Sequence, residues 1–200
     1  MTGVERVGLF GGTFDPPHVG HLVTAVNVRH ELQLDRVLLV VANRPWQKEG
    51  ERRISAAEHR FRLVAAAVRG VDGLEASRIE IDRGGPSYTA DTLAALRPLR
   101  PGTLFFTILG SDAAEGLRTW ERWPEVVDGS TLVVVDRPGT TVSLPTGIDW
   151  VRVVVPYLEV SSTDLRDRMH DGRPLDYLVP DAVLAEIRRL RLYDTPAAVR

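Results

Sequence analysis

The stretch that decides the fold is VERVGLFGGTFDPPHVGHLVTAVNVRHEL, residues 4–32. It begins with an apolar run, Val4–Phe10, which predicts a strand that ends at Gly11 and Gly12. Apolar residues then recur at helical spacing and predict a helix over His18–Leu32. A strand that turns through glycines into a helix is typical of α/β proteins.

The rest of the chain repeats this alternation, and strands joined through helices imply right-handed crossovers and a parallel sheet. We therefore predict one α/β domain over residues 1–200, a Rossmann-like, doubly wound and mainly parallel sheet with helices on both faces and a small C-terminal helical part. The further predicted strands are Arg36–Ala42, Ala76–Ile81, Leu104–Leu109, Thr131–Val135 and Val151–Val155, and the further helices are Ser55–Val68, with a capping box of Ser55 and Glu58, Thr89–Leu96, Ser162–His170 and Asp181–Leu190.

The composition excludes several classes of protein. The 200 residues carry a formal net charge of -2, which argues against a general nucleic-acid binder. The sequence has no cysteine, so disulfides and thiolate metal sites are excluded. No apolar run approaches the roughly 18 residues of a membrane span, and we expect a cytoplasmic protein without membrane or nucleic-acid partners.

The turn after the first strand carries the groups of an anion site. Gly11 and Gly12 let a ligand approach the backbone, and the following helix start favours anions. His18 and His21 can share one helical face and donate hydrogen bonds to phosphate oxygens. A structural histidine pair and a metal site are the alternatives. The P-loop pattern is missing. The GxGxxG pattern and a ribose-binding acid at the right distance are also missing, which ranks a dehydrogenase low.

A second helix start has similar chemistry. A serine or threonine N-cap in the segment Ser161–Arg166 (SSTDLR) leaves backbone N–H groups facing outward. Arg166, one turn into the helix, can form a bidentate contact with phosphate oxygens. An ordinary N-cap beside a solvated arginine is the alternative interpretation.

The string GGTFDPPHVGH resembles the signature of the nucleotidylyltransferase superfamily, and its full length is most similar to bacterial nicotinate-mononucleotide adenylyltransferases. SSTDLR resembles the motif with which that family holds the ATP phosphates, although Leu165 replaces the commoner isoleucine. The resemblance implies an ATP site made of Gly11, Gly12, Thr13, Phe14, His18, His21, Gly110, Asp112, Arg137, Ser161, Ser162, Thr163 and Arg166.

The middle of the chain resembles the nicotinate enzymes in particular. PSYTADTL, residues 86–93, is similar to the segment that holds the nicotinate carboxylate, and Trp120 matches the residue that stacks on the pyridine ring. Simple packing is the alternative for both tryptophans, and we prefer it for Trp123. Residues 45–48 (PWQK) lack the family's usual histidine there. The implied nicotinate mononucleotide site contains Gly12, Thr13, Asn43, Lys48, Tyr88, Thr89 and Trp120.

The function expected from this resemblance is the joining of nicotinate mononucleotide to the AMP part of ATP, giving deamido-NAD and pyrophosphate. His18, His21, Lys48 and Arg166 would be catalytic, and Mg²⁺ would bridge substrate phosphates without a dedicated protein ligand. A sister transferase that uses nicotinamide mononucleotide or pantetheine phosphate is one alternative. A non-catalytic nucleotide sensor is another, and the sequence leaves a homo-oligomer open.

Overall fold

A six-stranded parallel sheet lies at the centre of the protein in the computed structural model, which describes residues 3–45, 54–136 and 142–193. The strand order is β3-β2-β1-β4-β5-β6, so the chain reverses its direction of travel across the sheet between β1 and β4. This order confirms the predicted Rossmann-like sheet. The strands are β1 (Arg6–Gly12), β2 (Arg36–Val41), β3 (Leu74–Ser77), β4 (Leu104–Gly110), β5 (Thr131–Asp136) and β6 (Trp150–Val154).

Helices connect the strands and extend beyond the last one. In the described residues they are α1 (Val19–Glu31), α2 (Ala57–Val68), α3 (Ile79–Arg83), α4 (Thr89–Leu99), α5 (Ser111–Glu115), α6 (Trp123–Gly129), α7 (Ser162–Asp171) and α8 (Asp181–Leu190), with a 3₁₀ turn at Leu117–Thr119.

The strands bury both faces, because successive side chains point to opposite sides of the sheet. In β2, Leu39 packs with α1 and α2, whereas the next residue, Val40, packs with α4. Gly8 belongs to the first face, where a Cβ would lie 2.9 Å from Ile108 Cδ1. Helices therefore cover both faces of the sheet, as the near-continuous apolar strands predict.

A third apolar cluster attaches the C-terminal helices to the domain. Leu63 on α2 packs with Leu165 on α7 and Ile187 on α8, and all three side chains are buried. This confirms the predicted C-terminal helical part. The start of α7 lies beside the turn that follows β1, where the hydroxyl of Ser162 donates to the carbonyl of Pro16 at 2.8 Å.

Two local predictions were wrong. The segment Ala76–Ile81 is not one strand, since β3 ends at Ser77 and α3 begins at Ile79. Its alternating pattern instead reflects a strand end followed by one helical turn. Ser55 does not cap α2, whose N-cap is Ala56 without a side-chain hydrogen bond. The backbone N–H of Ser55 donates to Asp15 Oδ2 at 3.3 Å, which draws Ser55 toward the β1 turn.

The fold gathers the carboxyl ends of the strands at one edge of the sheet. Ligands of such sheets bind at this edge, where the strand order reverses. Here the reversal lies between β1 and β4, which end at Gly12 and Gly110. Among the described residues, no helix is both long and apolar enough to cross a membrane.

Candidate active site

Two adjoining pockets open at the carboxyl edge of the sheet. The wide pocket, of about 1040 Å³, lies between the β1 turn and the start of α7. The narrow pocket, of about 190 Å³, lies between β1, β4 and the start of α4. The residues common to both are Phe10, Gly11, Gly12, Thr13, Gly110 and Ala113. One molecule lying across this boundary would touch both pockets.

The wide pocket brings together the two sequence signatures, although about 140 residues separate them. His18 and His21 enter it from the first turn of α1, and Ser162 and Arg166 enter it from α7. Imidazole and guanidinium groups are hydrogen-bond donors suited to phosphate oxygens. The gathering of these groups in one pocket is the arrangement that the sequence predicts.

The two histidines are stacked against each other, with ring centroids 3.7 Å apart. The backbone N–H of His18 donates to His21 Nδ1 at 3.2 Å. A neutral His21 therefore carries its proton on Nε2, where it is a donor. Gly20 allows this arrangement, because a Cβ there would lie 3.1 Å from His18 Nδ1 and 3.0 Å from Val160 Cγ1.

His18 is a buried imidazole with little access to water. Its side chain is only 7% exposed, and its Nδ1 has no hydrogen-bond partner among the described residues. Burial lowers the pKa of His18 from 6.5 to about 4, because the charged ring is poorly solvated. At neutral pH, before a ligand binds, His18 is therefore an uncharged ring rather than a cation.

Asp15 and the cis peptide bond to Pro16 shape the turn between β1 and α1. The Asp15 carboxylate is buried and accepts from the hydroxyl of Tyr193 at 2.6 Å. Burial, and then the negative charge of Asp15, raise the pKa of Tyr193, so this hydroxyl keeps its proton. Arg166 Nη1 donates to the Asp15 carbonyl at 2.7 Å. The C-terminal part thus holds the β1 turn in place.

The start of α7 is a capped helix N-terminus. The Ser161 hydroxyl accepts from the backbone N–H of Asp164 at 3.1 Å, which confirms a serine N-cap in this segment. Arg166 Nη2 donates to the Thr163 hydroxyl at 3.0 Å. Hydrogen bonds and ion pairs with Arg168 and then Arg173 lower the pKa of the Asp164 carboxyl. The negative charge of Asp164 is thereby partly neutralised beside Ser162 and Arg166, whose side chains are hydrogen-bond donors.

The narrow pocket is mainly apolar, with polar groups on its walls. Tyr88 and Thr89 line it from the start of α4, and Trp120 lines it from the end of the 3₁₀ turn. The buried Glu80 accepts a 2.5 Å hydrogen bond from the hydroxyl of Thr92. A flat aromatic ring with a polar substituent would fit this mixture of surfaces.

The predicted residues divide between the pockets. Those of the proposed ATP site line the wide pocket, except Arg137, which lies outside the described residues. Gly12, Thr13, Tyr88, Thr89 and Trp120 line the narrow pocket.

Two residues of the predicted nicotinate mononucleotide site have other positions. Lys48 lies outside the described residues. Asn43 lines neither pocket, and its side-chain amide donates to the Gly85 carbonyl at 2.9 Å.

Sequence reasoning missed four buried polar residues in or behind the pocket walls. Asp15, Arg60, Glu80 and Thr92 were not candidates, yet each is buried and holds part of the site in place. Asp15 lies inside the first signature, and that position was a usable signal. Arg60 had no such signal, because an arginine in an amphipathic helix is normally solvated.

The chain is similar to known proteins over nearly its whole length. A family model described as cytidylyltransferase-like matches residues 9–168. A Mycobacterium bovis protein named "Probable nicotinate-nucleotide adenylyltransferase" is 41% identical over 94% of this chain and 91% of its own length. A protein of the same name from Acidothermus cellulolyticus is 42% identical over 96% of this chain and 97% of its own.

Solved structures share the fold. Plasmodium falciparum nicotinic acid mononucleotide adenylyltransferase, complexed with NaAD, superposes with a TM-score of 0.77. It is 16% identical, and the superposition covers 95% of this chain and 98% of the other. At this identity the likeness establishes the architecture, and the sequence relatives establish the family.

Proposed function

The chain belongs to the cytidylyltransferase-like family and groups with the nicotinate-nucleotide adenylyltransferases, and from this premise we propose that it joins nicotinate mononucleotide to the AMP part of ATP. The products are deamido-NAD and pyrophosphate. The observation that carries the proposal is the meeting of a donor-lined wide pocket with an aromatic narrow pocket at Gly11–Thr13. The reaction joins two nucleotides through their phosphates, so it needs two adjoining nucleotide sites whose phosphate ends meet.

The proposed chemistry is direct in-line transfer. A 5′-phosphate oxygen of nicotinate mononucleotide attacks the α-phosphorus of ATP, and the bond from that phosphorus to the bridging oxygen of pyrophosphate breaks. The nucleophile is already an anion, so no side chain has to remove a proton from it. Alignment across the pocket boundary and stabilisation of the developing charge supply the catalysis.

The wide pocket would hold the triphosphate. His18 and His21 would donate to its phosphate oxygens, and Arg166 with the N-terminus of α7 would add positive potential. His18 suits this role as a neutral donor, because burial keeps its ring uncharged at neutral pH. Lys48, from outside the described residues, stays a predicted further cation, and Arg137 stays a predicted contact to ATP.

The narrow pocket would hold the nicotinate ring. Trp120 offers a flat face for stacking, and the N-terminus of α4, which starts at Thr89, favours a carboxylate over a neutral amide. This difference supports a preference for nicotinate over nicotinamide mononucleotide.

We propose that Mg²⁺ arrives with the triphosphate. Among residues 3–45, 54–136 and 142–193 there is no group of three or more histidine or acidic side chains that could hold a metal ion. The wide pocket instead offers donors to phosphate oxygens, which suits a metal–triphosphate complex held through its phosphates. A bound Mg²⁺ neutralises phosphate charge, and it often relies on substrate oxygens rather than a protein cage.

Pyrophosphate release with different acceptors tests the proposal. Purified protein with ATP and Mg²⁺ should release pyrophosphate rapidly with nicotinate mononucleotide and far more slowly with nicotinamide mononucleotide or pantetheine phosphate. Faster release with either of the latter would assign a sister activity instead. ATP binding without turnover of any acceptor would indicate a nucleotide sensor. Chelation of divalent cations should abolish release and added Mg²⁺ should restore it.

Three expectations from the sequence stay predictions. These are the single domain over residues 1–200, the cytoplasmic location and a homo-oligomer, which the sequence leaves open. Gel filtration of the purified protein addresses the last of them.

A further inference from the structure

Arg60 on α2 is an unusual residue for the interior of this fold. It is the largest fully buried side chain in the described part of the chain, with 1% of its surface exposed. A buried guanidinium is unfavourable unless its N–H groups are paired. Something in the fold must therefore compensate for its burial.

Three backbone carbonyls accept hydrogen bonds from Arg60. Its Nη1 donates to Thr13 O at 2.8 Å, its Nη2 to Asn43 O at 3.1 Å and its Nε to Ser55 O at 2.8 Å. Thr13 follows β1, Asn43 follows β2 and Ser55 precedes α2. One rigid planar group thus joins three loop segments at the carboxyl edge of the sheet.

Two of these segments lead directly to the narrow pocket. Thr13 lines it. Asn43 passes the constraint on, because its backbone N–H donates to the Ser87 hydroxyl at 2.8 Å and its side-chain amide donates to Gly85 O at 2.9 Å. Ser87 lines the narrow pocket and lies immediately before Tyr88 and Thr89. A continuous set of hydrogen bonds therefore runs from Arg60 to the pocket wall.

We propose that Arg60 is a positioning residue for the acceptor nucleotide, which it affects through Thr13 and through Asn43 and Ser87. This inference rests on the proposed function. Arg60 lines neither pocket and so touches neither substrate in this arrangement. We expect the larger effect on the acceptor, because the connection through Asn43 and Ser87 reaches only the narrow pocket. Thr13 lines both pockets and Ser55 donates to Asp15 of the wide pocket, but Ser162 and Arg166 hold the wide pocket independently of Arg60.

Steady-state kinetics of Arg60→Met, with each substrate varied in turn, test the inference. Loss of a charge-assisted hydrogen bond typically weakens an interaction about tenfold or more. We expect the KM for nicotinate mononucleotide to rise by about that factor while the KM for ATP changes by less than about threefold. Arg62→Met, the same substitution at an exposed arginine of the same helix, is the matched control and should leave both KM values unchanged.

Arg60→Lys keeps the charge and carries the test if Arg60→Met does not fold by circular dichroism. An ammonium group cannot reproduce the planar fork, so we expect the same selective rise in the acceptor KM, smaller but at least about threefold. Equal rises in both KM values, or no change, in a folded variant would overturn the inference. A wild-type protein that turns over no nicotinate mononucleotide refutes the proposed function instead, which separates the two failures.

Discussion

The wide and narrow pockets share one boundary but are built in different ways. The wide pocket receives its chemical groups from two helix starts, those of α1 and α7, which lie near opposite ends of the chain. The narrow pocket receives its walls from β1, β2 and the middle of the chain, and hydrogen bonds made by the wall residues Ser87, Thr92 and Glu80 shape it. One pocket is defined mainly by its donors, and the other mainly by its shape.

This difference has a consequence for catalysis. Donors that face a developing charge affect the rate of the chemical step, because they stabilise the transition state more than the bound substrate. Walls that fit a ring affect mainly binding. Variants of the wide pocket should therefore lower kcat, and variants of the narrow pocket should raise the KM of the acceptor.

His18→Ala is expected to have the largest effect. Loss of one charge-stabilising donor costs about 2.7 to 4 kcal/mol in the barrier, so kcat should fall by roughly two to three decades. Initial rates of pyrophosphate release at saturating substrates measure this fall. His30→Ala is the control, because His30 is exposed in the last turn of the same helix. Near-normal turnover of His18→Ala would remove the imidazole from the mechanism.

The second prediction concerns pH, because burial of His18 has an energetic cost that depends on protonation. The folded pKa of about 4 lies below the unfolded value of 6.5. Between these pH values the unfolded chain binds a proton that the folded chain does not, so a fall in pH favours unfolding. From pH 7 to pH 5, His18 should account for a loss of about 2 kcal/mol in the free energy of unfolding.

Urea unfolding of the wild type and of His18→Gln at both pH values isolates this contribution. Other groups titrate in both proteins alike, so the difference between the two pH dependences belongs to His18. The wild type should lose about 2 kcal/mol more than the variant between pH 7 and pH 5. Identical pH dependences would mean that the imidazole is solvated, and the wide pocket would then lose its buried neutral donor.

The same contrast explains how much the sequence could predict. The sheet, its order of elements and the C-terminal helices follow from apolar periodicity, which reports burial directly. The donors that line the wide pocket were predicted mainly because two strings of sequence resemble the signatures of a known family. His18, Ser162 and Arg166 belong to strings that have few other uses, and the structure places all three in one pocket.

The support behind the walls could not be predicted in this way. Arg60 looks like a solvated helix residue until the loops that it joins are known. Its three hydrogen-bond acceptors among the described residues are backbone carbonyls, which have no sequence signal. Asn43 is similar, since its hydrogen bonds reach Ser87 and Gly85, more than 40 residues away. Such contacts depend on tertiary packing, which periodicity does not encode.

The strand prediction for Ala76–Ile81 was wrong because four strand residues and one helical turn give too short a pattern.

A third prediction sharpens the comparison from behind the wide pocket. Tyr193→Phe removes the hydroxyl that donates to the buried Asp15 carboxylate and leaves the ring in place. A hydrogen bond to a charged group contributes about 1.5 kcal/mol or more, and we expect a loss of that size in the free energy of unfolding. Urea unfolding at pH 7 measures it. Tyr177→Phe is the matched control, because that side chain is 93% exposed. Equal stability of the two variants would show that the Tyr193 hydroxyl does not help to hold the β1 turn.

The smallest expected effect belongs to the narrow pocket. Trp120 lines it, and stacking of an aromatic ring contributes about 1 kcal/mol beyond burial, so Trp120→Ala should raise the KM of nicotinate mononucleotide at least about fivefold. The kcat should stay near the wild-type value, because a flat ring face does not respond to charge at phosphorus.

Trp120→Phe should restore most of the affinity. Trp123, which lines neither pocket and packs against Arg118, provides the control. If Trp120→Ala instead lowered kcat as His18→Ala is expected to do, ring placement and charge stabilisation would be coupled, and the division of labour between the two pockets would be wrong.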